Sequence, residues 1–234
     1  MGIEREVLDT DILIVGAGPA GLACAFKIAE LIEKESLNMP EILVMDKGSY
    51  VGAHSLSGAV MDPKGIAELI PDYKEKHAPL ESEVSSEAMY YLKENSAIKF
   101  PFMPSSLNNH GNYIISLNKF TGWMAEQVEA KGIDIYAGLA GYELLVEDSK
   151  VTGVQTVDMG LDKEGKPKSN FEPGSIIKAK ITILCEGVHG SLTRQAFEKI
   201  PSLREKSLPQ VYLTGVKEVW EVPEGRIKAG QVIH

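Results

Sequence analysis

Two hydrophobic patterns alternate along the chain, and the points where one gives way to the other mark its organisation. Asp11-Ile12-Leu13-Ile14-Val15 is a short run rich in β-branched residues that stops at Gly16. A continuous apolar run of this length reads as a strand buried in a parallel sheet. From Ala20 to Glu35 the spacing turns helical, with Leu22, Phe26, Ala29, Leu31 and Ile32 facing inward, until Asn38-Met39-Pro40 breaks it. Ile42-Leu43-Val44-Met45 repeats the strand pattern and ends at Asp46-Lys47-Gly48. Strand, helix and strand with a glycine-rich first turn make one βαβ unit.

Downstream the patterns mix. Residues 48–59 hold three glycines and three serines and read as a long functional loop. A short helix is expected over 63–70, exposing Ile66, Leu69 and Ile70, and residues 71–112 read as irregular. Helical spacing returns over 117–131 through Phe120, Met124 and Val128. Strands are expected at 133–136 and 176–185, with a hairpin of 142–146 and 151–157 across Asp148-Ser149. A polar loop over 160–174, a helix over 191–199 and a strand over 211–222 complete the pass, with no closing element after them.

Composition narrows the class. The 234 residues carry 24 Lys+Arg against 33 Asp+Glu, a net charge of −9, and 44% hydrophobic residues. That is a globular composition, and its acidic balance argues against a nucleic-acid partner. Cys24 and Cys185 are the two cysteines, too few for a disulfide scaffold or a four-thiolate metal site. The acidic start, with Glu4, Glu6, Asp9 and Asp11, and the interruption at Lys27 leave no targeting segment or membrane span in the reading.

The candidate chemistry lies at the first turn. Gly16-Ala17-Gly18-Pro19-Ala20-Gly21 is G-x-G-x-x-G directly after a strand and opening a helix. The first glycine makes the tight turn, the second admits a pyrophosphate, and the third lets helix pack on strand. The helix N-terminus offers free N–H groups to the phosphates. Asp46, with Lys47 beside it, ends the second strand, where a carboxylate takes the ribose hydroxyls. A glycine-rich turn without a ligand would leave the conformational cost of these glycines unexplained. A second strand–turn–helix runs from Ile181 through Cys185-Glu186-Gly187-Val188-His189-Gly190 to Arg194. It resembles the second fingerprint of FAD enzymes of the glutathione-reductase and hydroxylase type, which favours FAD over NAD. The meander between 141 and 185 also resembles the insertion in those FAD domains.

Other segments narrow the resemblance. Gly52-Ala53-His54-Ser55-Leu56-Ser57-Gly58-Ala59, Asp62-Pro63, Glu68-Leu69-Ile70-Pro71-Asp72, Asn109-His110-Gly111-Asn112-Tyr113-Ile114, Asp158-Met159-Gly160 and Gly215-Val216-Lys217-Glu218-Val219-Trp220 are similar to the electron-transfer flavoprotein:ubiquinone oxidoreductase family. The similarity runs from about Asp11 to His234.

The resemblance implies a membrane-peripheral oxidoreductase whose FAD and [4Fe–4S] cluster pass electrons from reduced electron-transfer flavoprotein to ubiquinone. The implied location is the cytoplasmic face of a bacterial inner membrane, or the matrix side of the mitochondrial inner membrane. The implied fold is α/β. A doubly wound FAD-binding domain of glutathione-reductase type with a β-meander insertion takes residues 1–60 and 132–204. Part of a second, α+β quinone-binding and membrane-facing domain takes residues 61–131 and 205–234.

In this assignment Gly16, Gly18 and Gly21 hold pyrophosphate and Asp46 holds ribose. Ala53, His54, Ser57 and Gly58 line the flavin side, Ala140 passes the adenine, and Glu186–Gly187 stand near the dinucleotide. Arg194 reaches phosphate or joins a surface pair, and His54 contacts FAD or a backbone group. The stretch 51–72, through Ala59, Val60, Ile66, Leu69 and Ile70, would touch the membrane surface; without the family, Ile66, Leu69 and Ile70 read as core. His110 reads as turn-fixing, and Cys185, Trp123 and Trp220 as core.

The family's four cluster cysteines and its last FAD fingerprint lie outside this match, and Leu213 stands where a further glycine is expected. Two other assignments fit the same fingerprints: a geranylgeranyl-reductase-like or hydroxylase-like flavoprotein, and a truncated FAD-binding module without turnover.

Overall fold

The apolar run at 11–15 is the buried end of a longer strand, β1 (Val7–Val15), in a computed structural model that describes residues 4–56, 58–205 and 208–234. After it come α1 (Pro19–Lys34), β2 (Ile42–Asp46), β3 (Ala59–Met61), α2 (Lys64–Leu69), β4 (Leu80–Glu83), β5 (Ser86–Ala88), β6 (Tyr90–Lys93) and β7 (Ser96–Lys99). Then follow β8 (Tyr113–Ile115), α3 (Leu117–Glu129), β9 (Asp134–Ala137), β10 (Gly141–Glu147), β11 (Lys150–Thr156), β12 (Met159–Leu161) and β13 (Pro167–Glu172). The chain ends with β14 (Ile176–Leu184), α4 (Ser191–Lys199) and β15 (Gln231–Ile233). Two compact units result: Met1–His54 with Met124–Thr214, and Ser55–Trp123 with Gly215–His234.

The first unit is α/β. Its six-stranded sheet has the order β10-β11-β14-β1-β2-β9. The pairs β14–β1, β1–β2 and β2–β9 are parallel, while β10–β11 and β11–β14 are antiparallel. Ile12 pairs with Ile42 on one side and Ile181 on the other. Leu13, Val15, Leu43, Met45, Val154 and Leu192 belong to one buried cluster, so α4 packs its apolar side where the sheet needs cover. Each such side chain contributes about 1.5–3 kcal/mol through burial.

The β10–β11 hairpin turns at Asp148 and Ser149, whose φ values of 49° and 62° are those of a two-residue mirror-image turn. The expected polar loop over 160–174 is instead built around the antiparallel pair β12–β13, bonded through backbone while its side chains stay mostly in water.

The rest of the chain corrects several expectations. Residues 71–112 are not irregular: β4 pairs with β8 beside β3, β6 pairs with β7, and β5 takes β15 as a parallel partner. That last strand is also the closing element that was not expected. Ile66 and Ile70 are buried, with Ile70 1% exposed, because the six-residue α2 turns its apolar side into the core. They are core and supply no surface contact. Val211–Val222 forms no strand: among the described residues, no strand pairs with its backbone. Trp220 within it is 76% exposed rather than core, whereas Trp123 is buried and donates its indole N–H to the Lys76 carbonyl at 2.9 Å.

Candidate functional site

The first glycine-rich turn is held from both sides. Gly16 N–H donates to the Met45 carbonyl at 2.7 Å, and Cys185 N–H donates to the Val15 carbonyl at 2.7 Å. Gly16 has φ +108°. A Cβ there would lie 2.3 Å from the Cys185 carbonyl oxygen, and one at Gly21 would lie 1.9 Å from the Gly16 carbonyl oxygen. The protein's own backbone therefore requires both glycines.

Gly18 is different. Its φ of −76° and ψ of 177° suit any residue, and nothing lies within 4 Å of the place a Cβ would take. Gly18 is the N-cap residue of α1, which starts at Pro19, has no side-chain cap and carries no acidic residue in its first turn. A bare backbone beside uncapped N–H groups is what a pyrophosphate needs to approach. Ala17 is buried at the turn, while Pro19 and Ala20 are exposed.

Asp46 braces this turn. Its Oδ2 accepts the Ala17 N–H at 2.8 Å and its Oδ1 accepts the Gly48 N–H at 2.7 Å, while its backbone carbonyl accepts the Leu139 N–H at 2.8 Å. Each carboxylate oxygen has a second lone pair, so capacity remains for ribose hydroxyls. Lys47 and His54 are exposed, and Ala53 N–H donates to the Tyr50 carbonyl at 3.1 Å. Ser57 lies outside the described residues. Gly58 belongs to the second unit, where its carbonyl accepts the Lys217 ammonium at 3.0 Å.

The second turn carries a bond set that sequence reasoning missed. Glu186 Oε1 accepts the N–H groups of Ser191 and Leu192 at 3.1 and 3.0 Å, and Oε2 accepts the N–H and hydroxyl of Thr193 at 2.7 and 2.8 Å. Its carboxylate is thus committed to the N-terminus of α4. The available signal was an acidic residue shortly before a helix opening Ser-Leu-Thr. Gly187 is exposed with φ +80°, and exposed Arg194 donates Nε–H to the Gly190 carbonyl at 3.2 Å. Ala140 accepts the Val157 N–H at 2.9 Å through its carbonyl. Past α4, Tyr212 stacks on His189 with ring centroids 5.4 Å apart, and Gln210 donates to the Val188 carbonyl at 2.7 Å.

Two further groups have structural roles. Cys24 and Cys185 are free, half-buried thiols, and burial pushes both pKa values up, as expected of packing residues rather than reactive thiolates. In the second unit, Asn109 donates its backbone and side-chain N–H groups to the Glu87 carboxylate at 2.8–3.0 Å, and Asn108 accepts the His110 N–H at 2.9 Å. The Asn-His-Gly-Asn segment is therefore a clamp. Among the described residues, no group of three His, Cys, Asp or Glu side chains could hold a metal, and no helix is long and apolar enough to cross a membrane.

The chain is similar to known proteins along nearly its whole length. A family profile for an NAD(P)-binding Rossmann-like domain matches residues 14–77. The chain is 46% identical over 231 residues to the mitochondrial electron transfer flavoprotein-ubiquinone oxidoreductase of Dictyostelium discoideum, covering 98% of this chain and 38% of that protein. It is 42% identical over 236 residues to the mitochondrial proteins of the same name from Sus scrofa and Homo sapiens, covering 100% of this chain and 38% of each. The resemblance read from Gly52–Ala59 and Asn109–Ile114 is borne out, and the chain spans about two fifths of the length of these relatives.

Among solved structures, a geranylgeranyl bacteriochlorophyll reductase-like protein from Thermoplasma acidophilum superposes with a TM-score of 0.57 at 19% identity, covering 81% of this chain and 42% of that one. A myxobacterial FAD-dependent halogenase superposes with a TM-score of 0.55 at 17% identity, covering 80% of this chain and 39% of that one. These likenesses establish the α/β fold.

Proposed function

We propose that this chain is the FAD-binding portion of an oxidoreductase that passes electrons from reduced electron-transfer flavoprotein to ubiquinone. The observation that carries this reading is the 40–46% identity to oxidoreductases of that name over 98–100% of the chain. The open Gly18 position supports the cofactor assignment, because a dinucleotide gives a reason for a glycine that the chain's own packing does not require.

When bound, FAD accepts electrons from one partner and releases them to the other, and the protein sets its position and potential. The α1 N-terminus and the Gly16–Gly21 backbone hold the pyrophosphate, and Asp46 keeps the turn closed while offering its free lone pairs to ribose. Ala53 and His54 stand on the flavin side, Ala140 beside the adenine, and the backbone of Glu186–Gly187 near the dinucleotide. A [4Fe–4S] cluster does not fit this chain, since it needs four thiolates and Cys24 and Cys185 are the only cysteines.

Ubiquinone is a lipid-soluble acceptor, so the protein that reduces it must reach a membrane surface. Within 51–72, the burial of Ile66 and Ile70 leaves Leu56 and Val60 as the exposed large apolar residues. The β6–β7 hairpin offers more: Tyr91, Leu92 and Ile98 are exposed, and Phe102 follows them. Lys93 and Lys99 flank these residues, and long cationic side chains suit an interface with lipid headgroups. This surface supports peripheral attachment through apolar contact.

The test is to titrate the purified chain with FAD and then mix the loaded, reduced protein with a water-soluble ubiquinone. The reading requires flavin uptake followed by quinone-dependent reoxidation. Uptake without reoxidation would reduce the chain to a binding module, and no uptake would remove the cofactor assignment.

A further inference from the structure

We infer that Glu186 is a positioning residue for the glycine-rich turn, acting through the Cys185–Glu186 peptide. Its effect on binding rests on the FAD reading, whereas its effect on the turn stands on geometry alone.

The first N–H groups of any helix lack partners within the helix, and the positive end of the helix dipole favours an anion beside them. In α4 the anion is internal: the Glu186 carboxylate takes the N–H groups of Ser191, Leu192 and Thr193 together with the Thr193 hydroxyl, at 2.7–3.1 Å. These four bonds fill the place where a phosphate would otherwise sit. The phosphates are thereby left to α1, whose N-terminus has no side-chain cap.

The same bonds anchor the backbone at Glu186, and that backbone is a wall of the first turn. A Cβ on Gly16 would come within 2.3 Å of the Cys185 carbonyl oxygen and 3.4 Å of the Glu186 nitrogen. A Cβ on Gly21 would come within 3.4 Å of the Cys185 Cβ. The Cys185 N–H also donates to the Val15 carbonyl at 2.7 Å, so Cys185 meets the turn at its start through its backbone and at the third glycine through its Cβ, while the 185–186 peptide itself lies against Gly16. Backbones this close leave no slack. A shift of Glu186 toward solvent moves the wall against which Gly16 and Gly21 are packed.

The deciding experiment follows amide hydrogen exchange in the ligand-free chain and FAD titration for wild type, Glu186→Ala and Glu186→Gln. In Glu186→Ala, exchange accelerates at residues 15–22 as well as at 191–193, and FAD affinity falls by at least ~10-fold with an altered visible circular dichroism of the bound flavin. Glu186→Gln keeps a neutral acceptor and lies between the two. Added acetate, which re-occupies the α4 N-terminus, returns both segments of Glu186→Ala toward slow exchange. Faster exchange confined to 186–196, or wild-type FAD affinity and flavin dichroism in Glu186→Ala, overturns the inference. If Glu186→Ala does not fold, the comparison of Glu186→Gln with wild type decides by the same two readouts. If wild type itself takes up no FAD, the cofactor reading fails and the exchange comparison still decides the positioning role.

Discussion

Asp46 reaches across from the end of β2 to accept the Ala17 N–H at 2.8 Å, while its other oxygen closes its own loop on the Gly48 N–H at 2.7 Å. One carboxylate thus ties the β1–α1 turn to the second strand. Asp46→Ala leaves two amides without their acceptor and lowers unfolding free energy by about 2 kcal/mol, measured by urea titration. Asp46→Asn presents an NH2 group to one of the two N–H donors, so it recovers at most part of this loss. Full recovery in Asp46→Asn would contradict the bracing role.

The hairpin turn offers a gain in stability. Asp148 and Ser149 both hold positive φ, where a Cβ is strained and glycine is not. Ser149→Gly relieves that strain and raises the unfolding free energy by about 0.5–1 kcal/mol, because Asp-Gly is a preferred pair for this turn. An unchanged or lower denaturation midpoint would contradict the turn geometry.

Acid sensitivity follows from the N-terminal clip. Arg5 donates to both oxygens of Asp158 and to the Gly174 carbonyl, and Gly174 N–H donates back to Asp158 at 2.8 Å. The Arg5 hydrogen bond, followed by the Gly174 amide, holds the Asp158 carboxyl below the usual carboxylate range. A depressed carboxylate pKa stabilises the fold above the ordinary value of about 4 and loses that contribution as pH falls through the depressed value. Wild type therefore exceeds Asp158→Asn in stability at neutral pH, and the gap closes below about pH 4. Thermal melts of both proteins across that range test this, and a constant gap would contradict it.

The proposed membrane contact separates from folding at the β6–β7 hairpin and the Phe102 that follows it. Leu92 is 74% exposed and Phe102 68% exposed, so neither packs in the unit that carries it. Leu92→Ser with Phe102→Ser leaves the melting temperature unchanged and lowers co-sedimentation with phosphatidylcholine vesicles by ~10-fold or more, since each buried side chain contributes about 1.5–3 kcal/mol. Undiminished vesicle binding would move the contact elsewhere.

The βαβ start was legible because Ile12–Val15 and Ile42–Met45 are unbroken apolar runs and the glycines between them demand a special turn. The helix Ser191–Lys199 and the hairpin across Asp148-Ser149 were read for similar local reasons. What escaped depends on partners distant in sequence. Ser86–Ala88 is a strand because Gln231–Ile233 lies beside it, and Pro167–Glu172 because Met159–Leu161 does. Val211–Val222 alternates like a strand, but among the described residues no strand pairs with it, so its pattern alone does not make one. At the site, the three glycines were found together, yet only the structure separates Gly16 and Gly21, which packing requires, from Gly18, which it does not. Glu186 was placed at the site by its motif, while its bonds to α4 depend on how the turn folds back.

That separation gives the most direct measurement: FAD titration of wild type, Gly18→Val and Gly21→Ala, with a thermal melt of each. A side chain at Gly18 enters open space and costs at most about 1 kcal/mol of stability, but on the proposed cofactor assignment it would fill the path of the pyrophosphate. A methyl at Gly21 meets backbone at 1.9 Å and costs about 1–3 kcal/mol or more. The account predicts that wild type takes up FAD with the absorption of oxidised flavin. Gly18→Val melts near wild type yet binds no FAD, and Gly21→Ala melts lower. A wild type that stays colourless in excess FAD, or a Gly18→Val variant that binds it normally, would contradict the central claim.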